Sequence, residues 1–271
     1  MRQRPENFTI DNSHSLAKDL VLAGLGLCPG TLLYMDSSVN KNHGTLTNMD
    51  PSTDWVWDSM LNRFVLDFDW SNDYVALSKA AITSDFTLSC WSNWRVSGLV
   101  YGDRCTILGT TDSETMRNCF DLRYLENSTN VTVMFADYSA IKWSYYAGYI
   151  WWGLHHIAFT RSGSSFHLWF DGVDQGEQTS AATFSWTLNL RLGARTVAGY
   201  RLPFFGQLSD FMLHNRVLSI SEIQQLADRS NVMLSGLIKP PKRKLYAVRS
   251  TAYSQRFFSL QTSIGAFALQ S

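Results

Sequence analysis

Apolar and polar residues alternate along Phe86-Thr-Leu-Ser-Cys-Trp-Ser-Asn-Trp94. Only an extended backbone sends successive side chains to opposite faces, so this stretch reads as a strand with one face in a core. Cys119 to Tyr124 repeats the pattern, and Val131 to Phe135 does so in part. His156 to Arg161 and Ser165 to Phe170 flank Ser162-Gly163-Ser164 as a short hairpin would, and Asp171-Gly172 supplies the positive φ angles of the next reversal. Further strands are expected at Asn189 to Gly193 and Gly206 to His214. One helix stands out: Ser219-Ile-Ser-Glu222 fits a capping box, and Ile220, Ile223, Leu226 and Ala227 then share a face. Many short strands with a single short helix predict an all-β, antiparallel two-sheet sandwich.

A chain of 271 residues has room for one large β domain or two small ones. Its 17 % of charged residues, 10 Trp and zero net charge exclude a disordered polyelectrolyte and give no general reason to expect nucleic acid as a partner. Leu20 to Leu27 is too short and too interrupted by glycine to cross a bilayer, and it follows a polar stretch. A soluble chain without secretion signal or membrane partner is expected. The charge is unevenly placed, however. All 23 acidic residues lie at or before Asp228, whereas Arg229 to Ser271 holds seven basic residues and no acidic one. Pro240-Pro241 disfavours helix there. The expected organisation is therefore an N-terminal arm over 1–19, a body over 20–228 and a basic extended arm over 229–271. In that second arm Phe258, Leu260, Thr262 and Ile264 alternate with polar residues, as a strand added to a neighbour's sheet edge would. Lys239, Lys242, Arg243 and Lys244 offer charge for the same assembly contact.

Catalytic patterns are scarce. The five glutamates (Glu6, Glu114, Glu126, Glu177, Glu222) form no Glu-x-Asp-x-x-Glu set of the kind a retaining glucanase needs, and Glu222 reads as a helix cap. His155 and His156 are adjacent, so on a strand they face opposite ways and cannot chelate one metal. Cys28, Cys90, Cys105 and Cys119 are too far apart for a zinc knuckle and read as buried thiols. No enzyme is expected. Calcium is the one cofactor the residues suggest: Asp36, Asp69, Asn72 and Asp73 place hard oxygen ligands in turns, although Asp and Asn also populate turns by bonding their own backbone. Trp143, Tyr145, Tyr146 and Tyr149 could offer flat rings to sugars, or pack a core.

Several blocks resemble the laminin-G-like, concanavalin A-like jelly-roll superfamily in the right order. They are Leu32 to Leu46, Leu66-Asp-Phe-Asp-Trp-Ser-Asn-Asp-Tyr-Val75, Phe86 to Trp91, His155 to Thr160 with Phe170-Asp-Gly172, and Phe205-Gly-Gln-Leu-Ser-Asp-Phe211 with Asn215 to Ile223. Trp70, Leu154 and Ser209 depart from the family pattern, Trp70 standing where glycine is usual. The resemblance implies a jelly roll over about Leu20 to Asp228. The flanks, with Arg2-Gln-Arg-Pro5 and the Pro-Pro-Lys-Arg-Lys run, resemble laminin-G-like proteins of tailed bacteriophages. That second resemblance implies a non-enzymatic virion component, joined to other virion proteins or to copies of itself by its arms. The alternative it leaves open is an adhesin module that binds polysaccharide.

Overall fold

The computed structural model describes residues 9–77, 85–95, 104–111, 119–125, 130–137, 140–144, 153–179, 189–197, 200–229 and 236–239. In chain order the strands are β1 (Thr9–Ile10), β2 (Leu20–Gly24), β3 (Leu33–Tyr34), β4 (Gly44–Thr47), β5 (Trp55–Asp58), β6 (Arg63–Asp69) and β7 (Tyr74–Leu77). Then come β8 (Phe86–Trp94), β9 (Arg104–Thr111), β10 (Cys119–Leu125), β11 (Asn130–Asp137), β12 (Ala140–Ser144), β13 (Gly153–Ser162) and β14 (Ser165–Phe170). The last are β15 (Val173–Thr179), β16 (Asn189–Leu192), β17 (Ala194–Val197), β18 (Tyr200–Pro203), β19 (Phe205–His214) and β20 (Ile238–Lys239), with α1 (Ile220–Ala227) between β19 and β20. Among the described residues no helix is long and apolar enough to cross a membrane.

One sheet runs β12-β11-β10-β9-β16-β7-β4-β3; the other runs β15-β14-β13-β8-β19-β6-β5, with β2 also on β19. Every pairing is antiparallel, so the expected sandwich is what forms. Its core is aromatic: Phe86 meets Phe120 edge-on across the sheets, and Trp94 stacks on Tyr124 with 4.6 Å between ring centres. The hairpin and reversal also follow expectation. β13 and β14 pair through Ser162↔Ser165, and Asp171 and Gly172 take φ of 46° and 78°. Ser219 Oγ accepts from the Glu222 amide while the Glu222 carboxylate accepts from the Ser219 amide, completing the capping box.

Two expectations need correcting. Strand β8 buries both faces, because a second core lies on the outer side of its sheet, where α1 and chain-terminal segments pack on Ala158, Trp169 and Met212. The segments expected as free arms supply part of that core. β1 pairs with β20 through Thr9↔Lys239 and Ile10↔Ile238, and Leu16 and Leu237 are fully buried beside Ile223 and Leu226. His214 Nε2 lies 2.8 Å from the Leu16 carbonyl, and the Arg216 guanidinium donates to the carbonyls of Ser15 and Lys18 while pairing with Glu222. Lys239, expected to grip another subunit, instead bonds Asp11 at 2.7 Å. The body therefore takes in residues 9–19 and 236–239 as a clasp. The physical reason is apolar: Leu16 and Leu237 cover the outer side of the sheet that α1 alone leaves bare. Lys242, Arg243, Lys244, Phe258, Leu260 and Ile264 lie outside the described residues.

Candidate functional site: a polar corner with aromatic rings

On the outer face of the second sheet, one part is closed by α1 and the clasp, and a small buried cluster of Leu61, Val65, Trp91 and Leu154 lies beside it. Across the rest, Asp67 on β6, Gln207 on β19 and Asn93 on β8 stand opposite one another in the ladder. Cross-strand neighbours on one face lie about 5 Å apart, near enough for their side chains to bond. Asn93 Nδ2 donates to Gln207 Oε1 at 3.3 Å, and Gln207 Nε2 donates to Asp67 Oδ2 at 3.1 Å. Just past β8, Arg95 closes the row with a two-pronged pair to Asp67 at 2.7 and 2.5 Å. The Arg95 guanidinium also lies 5.6 Å from the centre of the Phe205 ring, and the Trp70 ring lies 6.3 Å from it. All six side chains are half-buried, so the row is neither core nor free surface.

Gly206 makes this row possible. At φ 134° it brings β19 so close to β8 that a Cβ would sit 2.1 Å from the Asn93 carbonyl oxygen. Trp70, at the position the resemblance gives to glycine, takes φ 66°. A residue with a Cβ pays roughly 1–2 kcal/mol there, and its ring packs against the main core beside Phe205.

The turn from β6 to β7 adds carboxylates. Asp69 Oδ1 accepts the Ser71 amide at 2.8 Å, Asp73 Oδ2 accepts the Asp69 amide at 3.1 Å, and the Asn72 carbonyl accepts from Asn48 Nδ2 at 2.9 Å. Burial, with the nearby charges of Asp69 and Asp54, pushes the Asp73 carboxyl up to about 7. Asp36, expected beside these residues, belongs elsewhere. Gly44↔Leu77 and Thr47↔Tyr74 place its loop and the Asp73 turn at opposite ends of the β4–β7 ladder, roughly 10 Å apart. Asp36 is fully buried and already accepts from the amides of Ala23, Ser38 and Asn42 and from Ser38 Oγ, at 2.7–2.8 Å. It organises its loop. Among the described residues no group of three or more His, Cys, Asp or Glu is arranged to hold a metal ion.

The two histidines do face opposite ways. His156 is buried against Trp91, and burial lowers its pKa to about 4, while His155 Nδ1 bonds Asp171 at 2.7 Å. On the outer face of the first sheet, Asp121 accepts from Thr106, Arg123 and Arg195 at 3.0–3.1 Å, and all four are nearly inaccessible. That cluster pins the β17–β18 hairpin to β9 and β10 and presents nothing to a ligand. Of the expected sugar-facing rings, Trp143 lies in β12 opposite Phe135, and Tyr145, Tyr146 and Tyr149 lie outside the described residues. Asp67, Asn93, Arg95, Phe205 and Gln207 were not singled out from the sequence. Period two marks Asn93 and Gln207 as outward-facing, but nothing short of the strand order brings them together.

A family model described as the concanavalin A-like lectin/glucanases superfamily matches residues 69–224. No curated protein sequence is significantly similar to the chain. Among solved structures, domain 4 of an extracellular arabinanase from Geobacillus stearothermophilus, in complex with arabinotriose, superposes with a TM-score of 0.57 at 15 % identity. The match covers 78 % of this chain and 98 % of that domain. The binding domain of Paraclostridial Mosquitocidal Protein 1 gives 0.58 at 14 % identity, over 80 % of this chain and 53 % of that one. The binding domain of botulinum neurotoxin serotype D gives 0.56 at 12 % identity, over 79 % and 52 %. The chain thus spans about half of the toxin binding domains. At these identities the likeness is one of fold.

Proposed function

Because the chain belongs to the concanavalin A-like lectin/glucanases superfamily, we propose that it is a carbohydrate-binding module rather than an enzyme, with its site at the Asp67–Gln207–Asn93 row. One observation carries this reading: a row of planar amide, carboxylate and guanidinium groups, half-buried, locked by mutual hydrogen bonds and flanked by the Phe205 and Trp70 rings. Sugars need fixed donors and acceptors for their hydroxyls and an apolar surface for their ring C–H groups; the row supplies the first, and the half-buried Phe205 and Trp70 border it for the second. The arabinotriose-bound arabinanase domain and the toxin binding domains support it, as folds of this kind that bind. The test is a glycan array with the full chain, followed by Gln207→Ala and Phe205→Ala. Each variant should weaken the best ligand by about tenfold, equivalent to about 1.4 kcal/mol. Unchanged affinity in both would move the site away from this corner.

A second reading places the module in a virion, as a head decoration or a tail or fibre appendage, and the two are compatible. The observation favouring it is the tail composition: residues 240–271 carry five basic residues and no acidic one, with Phe258, Leu260 and Ile264 at period two. Such a segment suits addition to another subunit's sheet edge. Deleting residues 242–271 spares Leu237 and Lys239, so the body should stay folded while incorporation into particles, or self-association, is lost. Normal assembly of that truncation would refute the reading.

A further inference from the structure

We infer that the corner selects neutral glycans and rejects anionic ones, and that Asp69 and Asp73 enforce the choice; this rests on the carbohydrate-binding reading above. The bonding inventory comes first. The Asn93→Gln207→Asp67 chain uses one amide hydrogen of Asn93, one of Gln207 and one lone pair of Asp67. Each amide carries two hydrogens, so each keeps one donor, and the side-chain Oδ1 of Asn93 has no described partner. The groups left over are neutral donors and acceptors a few ångströms apart, which suits a pair of neighbouring hydroxyls.

The charge comes second. Arg95 is the cation that an anionic sugar would seek, but both prongs of its guanidinium are committed to Asp67. The other cation of this stretch, Arg63, is committed to Asp210. Between residues 50 and 73 there are six aspartates and that single basic residue. Asp69 stands opposite Phe205 in the ladder, Asp73 accepts the Asp69 amide and the Asp54 carbonyl accepts the Asp67 amide, so the three gather at the rim of the corner, with no basic partner among the described ion pairs. Up to Asp228 the chain holds 16 basic residues against 23 acidic ones, so no wider positive field offsets the rim. A uronate, sialate or sulfate group would approach the acidic side chains of this rim, to which Asp73 adds its full charge only above about pH 7.

The experiment presents the full chain, at about pH 8.5 where Asp73 is ionised and in low salt of about 20 mM where the Debye length exceeds about 20 Å, with immobilised neutral polysaccharides (arabinan, mannan, galactan) and anionic ones (polygalacturonate, alginate, a sialylated glycan). Binding should be confined to the neutral set. Asp69→Asn with Asp73→Asn, which keeps the amide acceptor at 73, should raise binding to the anionic set by about tenfold and leave the neutral set within about twofold. Should that variant not fold, the wild-type chain gives the same answer through salt: its residual binding to anionic glycans should rise severalfold between about 20 and 200 mM as the repulsion is screened. Wild-type binding of anionic glycans as tight as that of neutral ones, or no gain in either the variant or the salt series, overturns the inference and leaves the carbohydrate-binding reading standing. Binding to no glycan of either set overturns that reading, and the inference falls with it.

Discussion

His214 sits fully buried where β19 meets the clasp, with Nε2 on the Leu16 carbonyl. Burial lowers its pKa from 6.5 to about 4; the Leu16 carbonyl pulls the other way but does not win. Above pH 6.5 the imidazole is neutral whether the chain is folded or not, so it contributes no pH dependence. Between pH 6.5 and 4 the unfolded chain takes up a proton that the folded chain refuses, and stability falls as the pH falls. Below about 4 both states hold the proton and the loss is complete. The fall from 6.5 to about 4, at about 1.4 kcal/mol per pH unit, gives a complete loss of about 3.5 kcal/mol, of which about 3 falls between pH 6.5 and 4, a large share of a typical domain's stability. The assay is urea unfolding followed by tryptophan fluorescence, at half-unit steps from pH 7.5 to 4. His214→Gln keeps an amide donor for the Leu16 carbonyl but cannot titrate. Asp73, pushed up to about 7, acts in the opposite sense over a similar range, since its folded state gains the proton first. For that reason only the difference between the two proteins is diagnostic. The wild type should lose about 3 kcal/mol more than His214→Gln between pH 6.5 and 4. Parallel curves would show that His214 ionises freely in the folded state and that the clasp does not seal it.

Two further outcomes test the parts described above. Leu237→Ala removes a fully buried side chain from the clasp and should cost about 2–4 kcal/mol by urea unfolding, as a core truncation does; a cost below about 0.5 kcal/mol would mean that residues 236–239 do not pack as described. Gly206→Ala forces a Cβ to 2.1 Å from the Asn93 carbonyl oxygen at φ 134°, so it should lower the melting temperature by several degrees and weaken glycan binding with it.

Local chemistry was legible in the sequence and long-range convergence was not. The capping box at Ser219, the turn at Asp171-Gly172 and the strand at Phe86 each depend on residues within ten positions, where propensity and period act directly. The polar corner depends on Asp67, Asn93 and Gln207, which are far apart in the chain and meet only because β19 lies between β6 and β8. Each is an ordinary outward-facing residue of its own strand. Asp36 shows the converse: a turn aspartate that suits a cation equally suits four backbone and hydroxyl donors, and only the surrounding Ala23, Ser38 and Asn42 decide which. The clasp was missed because a basic, proline-bearing tail looks uniform in composition, whereas Leu237, just before the prolines, is a core residue.

Strand β19 runs from Phe205 at the polar corner to His214 at the clasp, ten residues and roughly 30 Å. Leu16 and Asp19 of the clasp therefore meet the chain at the end of the strand away from Gln207. Loss of the clasp would bare the His214 end of that strand and leave the Asp67–Gln207 bond at the other end in place.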